Sequence, residues 1–273
     1  MDYQTFKPGQ ELAALVKYYW TLEVPAGYSS EKQRIVPDGC IELAFIMGDD
    51  IKRYVSETGF ILQPRAMVLG QILEPFYIQP AGQVKTFAVR FYPHGFANFS
   101  ATPIQDLANR ETALARLFGR ETADELTNEV IHAPGTPQRI EIIEAFLLRR
   151  LQDSTTVDRL VKSTVHTLLA SKGSLPIQAV LGEDLSVRRQ LERKFRKQIG
   201  LSPKQLGKVL RLQAALKLLL NRENDTLTRV AYESAYYDQN HFIKDFKEFT
   251  GTTPKYFLAA GELMLASVFY SKD

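Results

Sequence analysis

A stretch of ten residues recurs in this chain at an offset of 51 positions. Phe195-Arg196-Lys197-Gln198-Ile199-Gly200-Leu201-Ser202-Pro203-Lys204 corresponds to Phe246-Lys247-Glu248-Phe249-Thr250-Gly251-Thr252-Thr253-Pro254-Lys255. The Phe, the base after it, the Gly, the Pro and the Lys all return. Upstream, Leu191 matches Phe242 and Ala179–Val180 matches Val230–Ala231, so the repeat predicts two copies of one supersecondary unit. In each copy the Gly can take the left-handed conformation that ends a helix. Ser202-Pro203 and Thr253-Pro254 then offer an N-cap oxygen and a proline suited to the first helical position. Each copy therefore reads as a short helix, a turn, a second helix and a support helix, which is helix-turn-helix organisation. Pro203–Leu220 fits one helix of roughly 27 Å at 1.5 Å per residue. It would join the units rigidly and bury Val209, Leu212, Leu216, Leu219 and Leu220.

The segment Ser186–Leu206, the linking helix and Leu227–Phe257 resemble the DNA-binding domain of the AraC/XylS family of transcriptional regulators. The run Ala231-Tyr232-Glu233-Ser234-Ala235-Tyr236-Tyr237-Asp238-Gln239-Asn240-His241-Phe242-Ile243-Lys244-Asp245-Phe246-Lys247 is similar to its second helix-turn-helix, and the Gly-x-x-Pro that follows belongs to the same signature. About a hundred residues, from near 155 to 260, are covered. Two features depart from the family pattern. The first unit's leading helix, Leu175–Val180, is short and carries Pro176, and Ala235-Tyr236 stand where the family usually has Gly and Phe.

The resemblance implies that the second helix of each unit enters the major groove of double-stranded DNA, the two reaching successive turns about 34 Å apart. With Leu191 and Phe195 inward, helix periodicity leaves Arg189, Glu192 and Arg193 outward and Arg188 at the edge. In the second unit Phe242 and Phe246 point inward, leaving Gln239, Asn240, His241 and Lys244 outward or at the rim. Arg suits guanine O6/N7, Glu can accept from cytosine N4, Gln and Asn suit adenine, and Lys suits guanine or phosphate. Lys204, Lys255 and the adjoining helix N-termini could hold phosphate.

Charge divides the same way. Residues 153–273 hold 19 Lys+Arg against 13 Asp+Glu, a surplus of 6, whereas residues 1–152 hold 15 against 18. A basic half behind a mildly acidic one suggests that only one of them meets a polyanion. The first hundred residues read as β-rich: Tyr18–Val24, Ile41–Ile46, Ala66–Leu69 and Lys85–Phe91 are aromatic or β-branched and bounded by Pro, Gly and Asp. Glu11–Tyr19 could begin as a short helix. From about Pro103 the period becomes helical over Ile104–Leu107, Leu114–Phe118, Glu121–Ile131 and Arg139–Leu151, where Ile140, Ile143, Phe146, Leu147 and Leu151 would share a face. After a polar boundary at 152–156, Val157, Leu160, Val161, Val165, Leu168 and Leu169 form another apolar face. The expectation is an α+β chain: a β-rich, cupin-like barrel domain over 1–152, with a helical extension from about 103, then an all-α domain over 153–273 with two helix-turn-helix units and a linker helix.

A β-rich domain ahead of an AraC-type domain is similar to that family's cupin-like effector module. Ile35-Val36-Pro37-Asp38-Gly39-Cys40-Ile41-Glu42-Leu43 and Val89-Arg90-Phe91-Tyr92-Pro93-His94-Gly95-Phe96 resemble a subgroup of such domains. The implied function is a sequence-specific regulator controlled by a small-molecule effector, with a homodimer and RNA polymerase as further partners. The alternatives are an N-terminal domain serving only dimerisation or protein contact and, further off, a catalytic cupin. A metal cupin needs clustered His and carboxylate ligands, yet of the four His only His94 falls outside expected helices. Phosphate loops, zinc Cys pairs and nucleophile elbows are absent, so neither a cofactor, a metal nor a catalytic residue is expected. Cys40 stands alone and reads as a buried structural thiol rather than a nucleophile. Trp20, Arg34, Glu42, Arg90 and Tyr92 are candidates for a pocket, with strand register open. The lone Cys, the lack of any apolar run of roughly 18–20 residues and the lack of a signal-peptide profile make the cytoplasm the expected compartment.

Overall fold

Along β2 (Val16–Val24) the side chains alternate between two different cores. Tyr19 packs with one apolar cluster, and Trp20, Leu22 and Val24 with another. The same period governs β4 (Ile41–Ile46) and β9 (Val84–Phe91). Ile41, Leu43, Phe45, Phe87, Val89 and Phe91 face one way, while Ala44, Ile46, Val84 and Ala88 face the other. This sheet is therefore covered on both faces. The computed structural model describes residues 1–27, 31–151, 157–175, 185–221, 226–259, 265 and 269–270.

The antiparallel sheet runs β1 (Asp2–Phe6), β2, β9, β4, β7 (Ala66–Leu69) and β10 (Glu111–Ala113). A second sheet orders β3 (Gln33–Ile35), β8 (Phe76–Pro80), β5 (Ile51–Tyr54) and β6 (Phe60–Leu62). Ile35, Ile51 and Phe76 of the second sheet share a core with Trp20, Ile46 and Met67 of the first. The opposite face of the first sheet is closed by helices α1 (Leu114–Phe118), α2 (Arg120–His132) and α3 (Thr136–Arg150).

Among the described residues the helices that follow are α4 (Arg159–Ala170), α5 (Leu185–Ile199), α6 (Pro203–Asn221), α7 (Leu227–Glu233) and α8 (Gln239–Thr250), with a short α9 (Pro254–Ala259) behind them. The repeat is realised in backbone terms. Gly200 and Gly251 have φ of +88° and +75°, and Ser202 and Thr253 hydroxyls accept from the backbone N–H of Gln205 and Tyr256. Pro203 and Pro254 open the next helix in each copy.

Several details depart from expectation. Glu11–Tyr19 is no helix: one turn, with Val16 N–H donating to Leu12 carbonyl at 2.8 Å, leads straight into β2. Ile104–Leu107 is a 3-10 turn. Leu151 and Leu160 are exposed rather than on the buried faces, and Ile140, Leu169 and Leu220 are only partly covered. The boundary at 152–156 and nearly all of the first unit's leading helix, 176–180, lie outside the described residues. Ala235 takes the left-handed conformation, φ +59°, that a Gly would adopt more easily in the second turn.

One apolar cluster runs without a break from the first sheet through α1–α3 into Val161, Val165, Leu168, Leu191, Phe195 and Leu206. At this junction His94, 2 % exposed, meets His166 of α4 edge-on at 5.1 Å. Burial, reinforced by His166 and Lys162, pushes its pKa down to about 4 from 6.5. The unfolded chain thus takes up this proton first, so the contribution of His94 to stability is complete above about pH 6.5 and is lost as the pH falls towards 4. Replacing His94 with Gln is expected to flatten the dependence of the urea midpoint on pH across that window; an unchanged slope would dismiss the assignment.

Candidate nucleic-acid interface and an enclosed cavity

Helix α5 buries Leu191, Phe195 and Ile199, one per turn, and this fixes what its outer face presents. Arg189 and Arg193 are exposed. Arg188 and Glu192 are half-buried and pair with each other at 3.5 Å, one turn apart. Lys194 reaches Asp158 at 2.6 Å, which in turn caps α4 by accepting from the N–H of Leu160. The Lys194 hydrogen bond holds the Asp158 carboxyl below the usual range.

Helix α8 is capped by Asp238, which accepts from His241 N–H at 2.7 Å, and buries Phe242, Phe246 and Phe249. Asn240 and Lys244 are exposed on its first turns. Gln239 accepts from the Thr228 hydroxyl of α7 at 2.7 Å. His241 is half-buried, edge-on to Tyr236, with Nε2 3.7 Å from Asp245. Of the eight residues singled out, Arg189, Arg193, Asn240 and Lys244 are the most open to a partner. Lys204 and Lys255 are exposed at the following helix starts.

A buried group that sequence reasoning missed ties α8 to α6. Asp245 is 2 % exposed and faces Lys208 at 3.1 Å and Arg211 at 3.6 Å, besides His241. Burial alone would lower the Lys208 pKa, but hydrogen bonds from its ammonium to Glu248 and Asp245 raise it. Lys208 and Arg211 interrupt the apolar face of α6 three residues apart, which was the available signal.

Both helix-turn-helix units rest on the β-rich domain at their repeat glycines. A Cβ at Gly200 would lie 3.1 Å from Ile104 and 3.2 Å from Gln71, and one at Gly251 would lie 3.6 Å from Pro75. Arg34, one of the pocket candidates, instead donates to the Thr250 carbonyl at the end of α8, at 2.7 Å. Gln213 of α6 donates to the Pro37 carbonyl at 2.6 Å.

Between the two sheets lies a cavity of about 100 Å³ with an apolar wall, to which Trp20, Glu42 and Arg90 contribute. Arg90 donates to Glu42 Oε1 at 2.7 Å and also to Asp38 Oδ2. Trp20 Nε1 donates to the same Glu42 oxygen at 3.2 Å. Burial raises the Glu42 pKa; Arg90 opposes this and Asp38 adds to it. Leu265, Phe269 and Tyr270, from beyond α9, complete the wall. A cleft of about 810 Å³ opens beside α4 and α6, with Tyr92 on its edge, and shares Asp38, Cys40 and Tyr270 with the cavity. Cys40 is buried. Among the described residues, no group of three or more His, Cys, Asp or Glu stands close enough to hold a metal ion, and no helix is long and apolar enough to cross a membrane.

The second copy, α7 and α8 with α9 behind them, and the matching α5, left-handed Gly200 and α6 of the first, with bases exposed on α5 and α8, define a helix-turn-helix protein. Residues 186–260 match the family model of a helix-turn-helix domain, and residues 4–113 match that of a domain of unknown function, DUF6597. The C-terminal domain is of the AraC type, behind a β-rich N-terminal domain. No curated protein matches the chain. Among solved structures, ToxT from Vibrio cholerae in its P21 form is similar at 11 % identity, over 95 % of this chain and 98 % of that one, with a TM-score of 0.48. ToxT from Vibrio cholerae O395 bound to (E)-4-(8-methylnaphthalen-1-yl)but-3-enoic acid is similar at 10 % identity over 95 % and 99 %, with a TM-score of 0.46. Likeness of this degree says nothing about what the present chain binds.

Proposed function

We propose that the chain reads two successive major grooves through α5 and α8, and that a small molecule in its β-rich domain sets how well it does so. The observation that carries the second half is the segment 71–75. Gln71 and Pro75 seat the two repeat glycines, and Ile72 between them is a wall of the cavity. A change in the cavity therefore has a short mechanical path to both reading helices. Within this reading the two domains are 1–152 and 153–273, the reading residues are Arg188, Arg189, Glu192, Arg193, Gln239, Asn240, His241 and Lys244, and the site of action is the cytoplasm.

Selection of bound sequences from random DNA by the full-length protein tests the reading, and two half-sites one helical turn apart are the expected result. Alanine at Arg193 or Lys244 is expected to weaken binding to the selected site roughly five- to 150-fold, the equivalent of about 1–3 kcal/mol, with random DNA much less affected. Equal losses on both would reassign the residue to phosphate contact. Absence of any salt-dependent DNA binding by the wild type would sink the proposal.

One feature favours the second reading, in which the β-rich domain joins two copies. Strand β6 is a sheet edge whose Phe60, Ile61 and Leu62 are all exposed. Sedimentation of the wild type and Ile61→Lys decides between them: a dimer lost in the variant supports this reading, and a monomeric wild type removes it.

A further inference from the structure

The charged end of the cavity is not balanced. The Arg90 guanidinium is engaged by both Glu42 and Asp38, and both hydrogen bonds that reach Glu42 land on Oε1. Asp38 Oδ1 also accepts from the Cys40 N–H at 2.9 Å. Two carboxyl groups thus share one cation at the edge of an otherwise apolar space. An anion entering there would face both acids, while Arg90, the one base among the described residues that line the cavity, is already committed to them. A cation would face the reverse.

The apolar end has its own requirement. At about 100 Å³ the space is smaller than a cavity of about 150 Å³ that accepts benzene. The ring that stands beside it belongs to the chain itself. Phe269 packs on Trp20 at 5.3 Å and on Tyr3 at 5.7 Å, and the Trp20 indole N–H bonds Glu42. A ring at this place is therefore one indole away from a carboxyl group. The neighbouring Tyr270 hydroxyl donates to the Val36 carbonyl at 3.2 Å, and Asp38 and Tyr270 border the open cleft as well.

Building on the effector reading above, we propose that the cavity is a binding site for a small amine with an apolar, ring-sized body. Its ammonium sits against Glu42 and Asp38, and its body takes the place of the Phe269 ring on Trp20. Binding then competes with the chain's own C-terminal residues, and the occupied state differs from the empty one in where Phe269 lies.

The test is calorimetric titration of the full-length protein with three probes of one shape: benzylamine (a cation at pH 7), benzyl alcohol and benzoate. Benzylamine is expected to bind at least tenfold more tightly than benzyl alcohol, and benzoate not measurably. Glu42→Gln should erase the preference for the amine over the alcohol. Phe269→Ala, which leaves the charged end intact, should tighten benzylamine several-fold. Equal binding of amine and alcohol, tighter binding of benzoate, or no binding to the wild type and Phe269→Ala alike overturns the proposal. DNA affinity measured with and without benzylamine separates the two readings. Amine binding that leaves DNA affinity unmoved would remove effector control and keep the site. DNA binding with no amine binding would do the opposite.

Discussion

Replacing Asp245 with alanine is expected to cost about 3 kcal/mol of stability. Asp245 is enclosed between α6 and α8, with Lys208, Arg211 and His241 around it. Removing one member of a buried ion pair is expensive because the partners remain, now uncompensated, in a poorly solvated place. The lower end of the usual range applies because the Lys208 and Arg211 side chains keep about a fifth of their surface in water and Lys208 retains Glu248. Urea unfolding followed by circular dichroism measures the loss. Asp245→Asn, which keeps the shape and an acceptor, should recover part of it. An unchanged midpoint in the alanine variant would mean that Phe242, Phe246 and Phe249 hold α8 unaided.

Substituting Gly173 by alanine is expected to cost about 2–5 kcal/mol. The residue ends α4 with φ +71°, where a side chain carries a penalty of about 1–2 kcal/mol. Its Cβ would also lie 2.0 Å from the Gly207 carbonyl oxygen of α6, so backbone must move, at about 1–3 kcal/mol for overpacking. Gly207→Ala is the matched control. A Cβ there meets Leu168 at an ordinary 3.6 Å and sits in a helix that gains from alanine. The control should therefore be neutral or stabilising by up to about 1 kcal/mol. Similar losses in the two variants would show that the helix contact, not the left-handed backbone, sets the cost.

What could be read in the chain beforehand follows from how local each signal was. Ile41–Ile46 and Ala66–Leu69 stand in the structure with the predicted bounds, because aromatic or β-branched runs and the Pro, Gly or Asp residues that bound them are written in consecutive positions. The repeat glycines and the proline starts were legible for the same reason. Glu11–Tyr19 misled because the apolar residues that would share one helix face are also those of a turn followed by a strand buried on both faces. Trp20, Glu42 and Arg90 could be suspected as a pocket, but their convergence depends on the registers Trp20 to Ala88 and Glu42 to Arg90 across three strands. Arg34 shows the limit of such guesses: its role is set by Thr250, more than two hundred residues away. Leu265, Phe269 and Tyr270 closing a cavity in the opposite half of the chain leave no local trace at all.

The helix α6 has a consequence for the DNA rather than for the protein. Its 19 residues run unbroken from Pro203 to Asn221, and its apolar face, with Leu206, Val209, Leu212 and Leu216 buried, is packed along most of its length. If α5 and α8 each take a groove, the spacing between their half-sites becomes a matter of rotational phase. Five added base pairs would turn one half-site to the far side of a duplex that repeats every 10–10.5 base pairs. Ten would restore its direction but move it a full turn out of reach. A regulator built this way tolerates error in individual bases better than error in the ruler between them.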